Sequence, residues 1–409
     1  MASAGMARNS IAANIYRQAS LHRTIAHCGS RTLSSKPMRN APKHIFAPVS
    51  PKCNESRIDI SGLHEREPCF DPAVHLQLEP PEYVKMLPQS GSTAASKGDI
   101  VQFPIPVCSA PDHLAGMTTA KDISSGTEVP FGGLAYSAPF RVLSDEGVAA
   151  MRGIISDHEA SAEALPSRAA KSLRGLGYKS QFVHDFNYSE SMLGHLSKIA
   201  GTPIGPHHMG MNMSQINFGE IGAGKPIDEW HLDSVPYVLV VLLSDASGSQ
   251  GGQLQVALLG DPRETIDKIK MGVVDTSEID VVDYPGAGYA IFMQGSRIAH
   301  AVSPVVAARE PRITCINSYQ SLNPFSTDRT VYATFRDTDG HHAPVEFARH
   351  VGWRVQGQLD YMMHDSSLQG NDAAIAQLLD DAAAELKRAG DFVGRRAIDE
   401  RPYKVKDQE

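Results

Sequence analysis

Residues 284–304 read YPGAGYAIFMQGSRIAHAVSP and hold the clearest structural signals of the chain. The Pro-Gly-Ala-Gly run at 285–288 favours a turn, because proline and glycine interrupt regular structure. The apolar run at 289–292 has the length of a short buried strand. A loop then leads to a single histidine, His300. This segment therefore predicts a turn, a strand and a histidine delivered by the connection that follows.

The surrounding region, residues 207–330, shows the same alternation of short apolar runs and turns. Short runs rich in strand-forming residues are separated by Gly, Pro and Asp, at 208–218, 237–243, 253–258, 289–292 and 312–319. One helical segment, Pro262–Lys270, interrupts them. Several short strands without alternating long helices indicate a barrel or sandwich and not a strand–helix repeat. The sequence thus predicts a mainly β fold with flanking helices.

Helical patterns stand on both sides of this β region. Ser144 precedes an amphipathic run and is a typical helix cap, and a second helix is predicted at Glu190–Ala200. After Pro344 two further amphipathic helices are expected, the second following Asn371. We expect this C-terminal pair to pack on the outside of the barrel, with association of two copies as the alternative.

Charge and composition divide the chain further. Residues 1–54 carry eight Lys or Arg and no acid, whereas the remainder has 30 basic and 46 acidic residues and a net charge of −16. An acidic body argues against nucleic acid as a partner. The basic, Ser-rich opening without a long apolar stretch is typical of an organelle transit peptide, which predicts a mitochondrial protein, or of a disordered tail on a cytoplasmic one. Five scattered cysteines without a CxxC pair indicate a reduced, intracellular chain.

These signals predict four segments. Residues 1–45 are a transit peptide or disordered tail, and residues 46–135 form an extended arm with a short strand at Ile100–Val107. Residues 136–330 form the barrel with its N-terminal helices, and residues 331–409 form a helical extension. No stretch is long and apolar enough to predict a membrane span.

Two possible metal ligands lie in the first third of the β-rich region. His231 and Asp233 are two positions apart, so on a strand both side chains point to the same face. His300 follows 67 residues after Asp233. Two ligands close in sequence and one distant histidine form a facial triad, which leaves three positions of an octahedral ion open. We predict that His231, Asp233 and His300 bind a metal.

A second charged group follows at the next strand. Arg312 and Thr314 share strand parity, so both are expected to face the barrel interior. A buried arginine needs an anion, and a carboxylate accepts its two parallel hydrogen bonds well. Arg309 is the alternative, but beside Glu310 it is better explained as a solvated loop charge. A ligand with a carboxylate for Arg312 and a chelating end for the metal describes 2-oxoglutarate.

Together these motifs resemble the Fe(II)/2-oxoglutarate-dependent dioxygenase superfamily, and its prolyl-hydroxylase-like branch in wording. The shared pattern is His-x-Asp, Gly-Gly-x-Leu at 251–254, the Pro-Gly-x-Gly turn, His-x-Val-x-Pro from His300, and Arg-x-Thr from Arg312. Gln253 stands where the family often has Glu. The resemblance covers about a quarter of the chain, residues 212–319. It implies a double-stranded β-helix (a jelly-roll or cupin-like barrel) with Fe(II), 2-oxoglutarate as co-substrate, and ascorbate as a candidate additional cofactor.

The resemblance also implies a reaction. Dioxygen and 2-oxoglutarate give succinate and carbon dioxide, and a second substrate is hydroxylated or otherwise oxidised. A small molecule is favoured over a protein side chain as that substrate. Asn217 and Tyr237 are weaker candidates for contacts with 2-oxoglutarate. The alternative function is a non-oxidative cupin-like barrel, an isomerase or a sensor, which would have no need of Arg312 as a carboxylate clamp.

Overall fold

The computed structural model describes residues 67–87, 100–102, 133–164, 171–364 and 368–394. The predicted transit peptide, most of the predicted arm and residues 103–107 of the strand predicted at Ile100–Val107 lie outside these residues. Within the described ranges, none of the helices combines the length and the apolar character that crossing a bilayer requires.

Strands dominate the centre of the chain. In chain order they are β1 (Tyr83–Met86), β2 (Ile100–Gln102), β3 (Leu134–Ser137), β4 (Phe140–Arg141), β5 (Ser172–Leu173), β6 (Ile204–Pro206), β7 (Gln215–Gly219), β8 (Asp228–His231), β9 (Tyr237–Leu242), β10 (Gln250–Gly251), β11 (Leu254–Ala257), β12 (Ile279–Val282), β13 (Tyr289–Met293), β14 (Ala299–Val302), β15 (Val305–Ala307) and β16 (Arg312–Ser321). The strands predicted from sequence at 237–243, 253–258, 289–292 and 312–319 correspond to β9, β11, β13 and β16.

Two antiparallel sheets face each other. The large sheet has the order β2–β1–β3–β13–β9–β16–β7–β5, and the small sheet has the order β12–β11–β14–β8. Eight of the ten strands from β7 to β16 divide between these sheets, with β7, β9, β13 and β16 in the large one and β8, β11, β12 and β14 in the small one; β10 pairs with β15 separately. Successive strands that cross between two facing four-stranded layers in this order define a double-stranded β-helix. The predicted fold class is therefore confirmed by the strand order itself.

Strand β9 shows why the sequence selects this architecture. Its residues are apolar throughout, YVLVVL, because both faces of the large sheet are covered. Tyr237, Leu239 and Val241 pack against the flanking helices on one side. Val238 and Val240 point into the space between the two sheets. A continuous apolar run is thus the signature of a strand buried on both faces.

The helices surround this barrel. They are α1 (Pro72–His75), α2 (Asp145–His158), α3 (Leu176–Lys179), α4 (Gln181–Tyr188), α5 (Glu190–Ala200), α6 (Pro262–Lys270), α7 (Tyr332–Asp339), α8 (His342–His364) and α9 (Asp372–Val393). The helices predicted at Glu190–Ala200 and Pro262–Lys270 are confirmed with these bounds. Ser144 caps α2 by accepting a hydrogen bond from the Gly147 N–H, as its position predicted.

The C-terminal helices pack on the barrel, as expected. Phe347 and Val355 of α8 and Ala382 and Ala389 of α9 belong to the same apolar cluster as the residues between the sheets. The described parts of the predicted arm extend the large sheet, because β1 pairs with β3 and β3 with β13. The four segment boundaries themselves stay predictions.

Candidate metal centre

A cavity lies between the two sheets and runs along β16. Arg312, Thr314 and Ile316 alternate along that strand and all line it. Strand β7 runs beside them, with Asn217 opposite Thr314 and Gln215 opposite Ile316. His231, Asp233 and His300 line the same cavity from the small sheet and the turn that follows β8. The cavity therefore has an Arg312 end inside the barrel and a Gln215 end at its mouth.

Three of these side chains converge. One nitrogen of His231, one nitrogen of His300 and one carboxylate oxygen of Asp233 lie within 4.8 Å of one another. Asp233 Oδ1 is 3.4 Å from His231 Nε2, and its Oδ2 is 3.5 Å from His300 Nε2. Strand pairing creates this arrangement, since His300 of β14 lies directly opposite His231 of β8. Residues 69 positions apart in the chain are thus cross-strand neighbours.

Backbone carbonyl groups orient both imidazoles. His231 Nδ1 lies 2.6 Å from the carbonyl oxygen of Glu229, and His300 Nδ1 lies 3.0 Å from that of Ile298. A carbonyl only accepts, so each Nδ1 carries the proton and each Nε2 keeps its lone pair for the site. Burial lowers the pKa of His300 to about 4. Both effects hold His300 as a neutral ligand near neutral pH.

Asp233 does not sit on the strand, and in this the sequence prediction was wrong. Strand β8 ends at His231, and Asp233 lies in the turn to β9. Its N–H donates to the carbonyl of Gly295 at 2.9 Å. A Cβ atom at Gly295 would lie 1.8 Å from Asp233 Oδ2, so only glycine leaves room for the carboxylate. The turn and this glycine, not strand parity, bring the carboxylate beside the two histidines.

The donor set fits a divalent transition metal. Two imidazole nitrogens and one carboxylate oxygen from one side of a buried site are typical of Fe(II) centres that keep positions open for other ligands. His231 and His300 are 8% and 3% exposed, so protein and not bulk water surrounds the triad. Within the described ranges, no other three His, Cys, Asp or Glu side chains bring their ligand atoms this close together.

Arg312 lies at the inner end with unused hydrogen-bonding capacity. The residue is 7% exposed, and its Nη1 donates to Thr314 Oγ1 at 3.3 Å. Its Nη2 is buried and has no hydrogen-bond partner among the described residues. Burial lowers the pKa of the guanidinium. A buried cation with a free donor that points into a cavity is a receptor for an anion.

Two residues that sequence reasoning left without a role shape this receptor. The ring of Tyr284, just before the Pro-Gly turn, has its centroid 5.7 Å from the Arg312 guanidinium carbon, and its hydroxyl donates to the Val240 carbonyl at 3.1 Å. Gly252 has φ +74°, and a Cβ there would lie 3.0 Å from Arg312 Cδ. Arg309 is 74% exposed at its side chain and pairs with Asp245, so it is the loop charge expected.

The two weaker candidates for contact with 2-oxoglutarate, Asn217 and Tyr237, lie in different places. Asn217 lines the cavity, where its Oδ1 accepts from Gln215 Nε2 at 2.9 Å. Tyr237, the other candidate for contact with 2-oxoglutarate, does not line this cavity. Its ring stacks on Phe292 at 5.6 Å in the apolar cluster under the flanking helices. The turn between β8 and β9 joins strands of different sheets, so strand parity does not continue through it.

The groups that build the mouth of the cavity carry no sequence motif. Arg174 makes two hydrogen bonds of 2.9 Å to Asp339 at the end of α7, and a third of 3.0 Å to Asn212. Thr334 and Phe335 of α7 line the cavity above the triad. The Ser234 hydroxyl, next to Asp233, donates to Thr334 at 2.9 Å. Helix α7 therefore roofs the site.

The fold and the site together define a class of protein. It is a double-stranded β-helix with a buried His-Asp-His triad at its mouth and a buried arginine that can bind an anion inside. No family model and no curated protein matches this sequence. Solved structures do show similarity. One is the non-heme alpha ketoglutarate dependent epimerase SnoN from nogalamycin biosynthesis, at 15% identity and TM-score 0.35, covering 46% of this chain and 79% of that one.

Two further similar structures have comparable scores. HygX from Streptomyces hygroscopicus, with nickel and 2-oxoglutarate bound, has 12% identity and TM-score 0.32, covering 44% of this chain and 79% of that one. A prolyl-4-hydroxylase from Pseudomonas putida has 15% identity and TM-score 0.32, covering 49% of this chain and 96% of that one. The strand order of the two sheets by itself defines the double-stranded β-helix.

Proposed function

We propose that this chain is an Fe(II)- and 2-oxoglutarate-dependent dioxygenase that oxidises a small-molecule substrate. One observation supports this above the others: a single cavity contains both the facial triad and the unpartnered, buried Nη2 of Arg312. A dicarboxylate with a chelating 2-oxo acid end matches both groups at once. A non-oxidative cupin-like barrel that acts as an isomerase or a sensor has no need of the Arg312 guanidinium as a carboxylate-binding group.

Each residue has a defined task in this proposal. His231, Asp233 and His300 would hold Fe(II), and Arg312 with Thr314 would bind the distal carboxylate of 2-oxoglutarate. When bound, the iron couples oxidative decarboxylation of 2-oxoglutarate by dioxygen, which gives succinate and carbon dioxide, to oxidation of a C–H bond in the second substrate. Halogenating members of the superfamily lack the carboxylate ligand, so the presence of Asp233 favours hydroxylation or a related oxidation.

The cavity walls and roof have tasks of their own. Val240, Leu254, Val302 and Ile316 line the interior and exclude water from the co-substrate. Phe335 and Thr334 close the mouth from above, so the second substrate must fit between α7 and the triad. An enclosed mouth of this kind supports a small molecule as substrate. Besides Fe(II) and 2-oxoglutarate, dioxygen and this substrate are the reactants of the proposed oxidation.

The function is tested with purified protein, Fe(II), ascorbate and 2-oxoglutarate. We expect succinate above background, and more when extract supplies the substrate. His231→Ala should abolish metal binding. Arg312→Ala should weaken 2-oxoglutarate binding about tenfold to hundredfold while metal binding is kept, since hydrogen bonds to charged groups contribute roughly 1.5–3 kcal/mol each.

Calorimetry with Mn(II) and then 2-oxoglutarate, without oxygen, separates the two steps. Arg309→Ala is the matched control, because Arg309 is an exposed arginine near the same strand. Equal loss of metal in both the His231 and the Arg312 variants would contradict these roles, and the absence of succinate with or without extract would favour the cupin-like alternative.

We also propose that the protein acts in mitochondria, supported by the acid-free, Arg-rich residues 1–54. A fluorescent fusion of the full chain should co-localise with a mitochondrial marker, and deletion of residues 1–45 should leave it in the cytoplasm. A full-length fusion that stays cytoplasmic would refute this.

A further inference from the structure

Helix α9 has a second apolar stripe that the described residues of the chain leave exposed. Its inner stripe is buried against the rest of the chain through Ala374, Leu378, Ala382 and Ala389. Beside it runs an exposed set: Ala376, Leu379, Ala383, Leu386, Gly390 and Val393. The three large side chains of this set are 46%, 50% and 36% exposed. We call this set the outer stripe.

The outer stripe has the spacing of a coiled-coil seam. Its members follow one another at intervals of three, four, three, four and three residues. Apolar residues at alternating steps of three and four lie along one line of a helix and pack into the same line of a second helix. A helix that only packs on its own domain needs one such line, and α9 already uses its inner stripe for that.

Residue sizes along the outer stripe fit a second copy of the same helix. Small residues (Ala, Ala, Gly) alternate with large ones (Leu, Leu, Val). In an antiparallel pair with its twofold axis between residues 384 and 385, every large side chain faces a small residue of the other copy. The three facing pairs are Ala376 with Val393, Leu379 with Gly390, and Ala383 with Leu386. A twofold interface must be complementary to itself, and this stripe is.

Charges beside the outer stripe fit the same alignment. Asp380 and Lys387 follow Leu379 and Leu386 by one residue each, so both lie on the same edge of the stripe. The antiparallel alignment that matches the sizes brings Asp380 beside Lys387 of the partner subunit, and the twofold axis repeats the pair. Within its own helix Lys387 contacts Asp391 at 2.5 Å, a contact that the new pair would share.

We propose that two copies of this chain associate through the outer stripes of their α9 helices, packed antiparallel. The proposal does not depend on the oxygenase function, so either can fail without the other. The sequence of the C-terminal helices suggested association of two copies as an alternative to packing on the barrel. The outer stripe is the surface through which we propose that association. Inner and outer stripes together let α9 serve both contacts.

Sedimentation of the full chain from about 1 to about 100 µM tests the proposal, and we expect a reversible dimer in this range. Asp380→Lys places like charges opposite Lys387 of the partner subunit at both symmetric positions. We expect the dissociation constant to rise about tenfold, and to recover when Lys387→Asp is added. Raising the salt concentration should reduce both the rise of the dissociation constant in Asp380→Lys and its recovery in the double variant.

Asp381→Lys is the matched control. It makes the same charge change one residue away, on the face of α9 where Gln377 donates to Asp381 at 2.8 Å. We expect this variant to dimerise like the wild type. Leu379→Glu combined with Leu386→Glu should give a monomer with an unchanged circular dichroism spectrum, because both side chains are exposed.

A wild-type chain that stays monomeric over the whole range would overturn the proposal. So would a dimer that survives the two leucine replacements, or one that Asp380→Lys and Asp381→Lys weaken equally.

Discussion

Replacing Gly295 by alanine tests the geometry of the triad at a residue that is not itself a ligand. The added Cβ would lie 1.8 Å from Asp233 Oδ2 and 2.6 Å from its Cγ. Real Cβ atoms essentially never approach closer than 3.0 Å, so the carboxylate must retreat by at least about 1.2 Å. That is more than half of a metal–oxygen bond of about 2.1 Å.

The expected result is loss of metal affinity without loss of the fold. Changes to groups that orient metal ligands reduce affinity about tenfold to hundredfold, and we expect Gly295→Ala to fall in that range, a cost of roughly 1.4–2.8 kcal/mol. Calorimetric titration with Mn(II) under anaerobic conditions measures it. The variant should unfold in urea nearly as the wild type does. Gly295 is not among the glycines with positive φ, so alanine adds no left-handed backbone strain.

Gly286→Ala provides the matched control. This glycine also has no left-handed backbone, and an added Cβ would meet nothing within 4 Å. We expect its metal affinity to equal that of the wild type. If Gly295→Ala bound Mn(II) as tightly as Gly286→Ala, the close approach of Gly295 to Asp233 could not be what positions the carboxylate.

Two further predictions concern the co-substrate site and stability. Gly252→Ala should weaken 2-oxoglutarate binding and keep metal binding, because its Cβ would press on Arg312; Gly248→Ala, with φ +72° and open space, imposes the same backbone strain without that contact. Burial raises the pKa of the Glu346 carboxyl to about 7 from 4.5. The folded chain therefore holds a proton that the unfolded chain releases, so stability present below about pH 4.5 is lost as the pH rises through about 7. Glu346→Gln should exceed the wild type in urea stability at about pH 8 by roughly 1–3 kcal/mol and match it at about pH 4.5, and equal pH profiles would contradict this.

Local patterns were enough for much of the fold. The apolar run of β9, the proline-led helix α6 and the capped helix α2 carry their signals within a few residues, so sequence predicts them directly. The expectation that His231 and Asp233 share one strand was wrong, because β8 ends at His231. The end of a strand depends on where its partner strand ends, and here the partner is β14.

Pairing across the chain decided the rest of the site. Tyr237 and Asn217 had equal standing as polar residues near the motif, yet only Asn217 lines the cavity. Arg174 carries no motif, and it becomes part of the mouth because Asp339, 165 residues later, lies opposite it.

The sequence by itself determined the chemistry of this protein: which side chains can bind a metal, which arginine must find an anion, and that short strands form the body. These follow from residue type and short-range spacing. Only the tertiary structure decided which residues meet. His300 lies opposite His231 because β14 pairs with β8, Gly295 makes room for Asp233, and α7 closes the mouth. Such contacts depend on the registers of strands distant in the chain, and a register is set by the packing of the whole barrel.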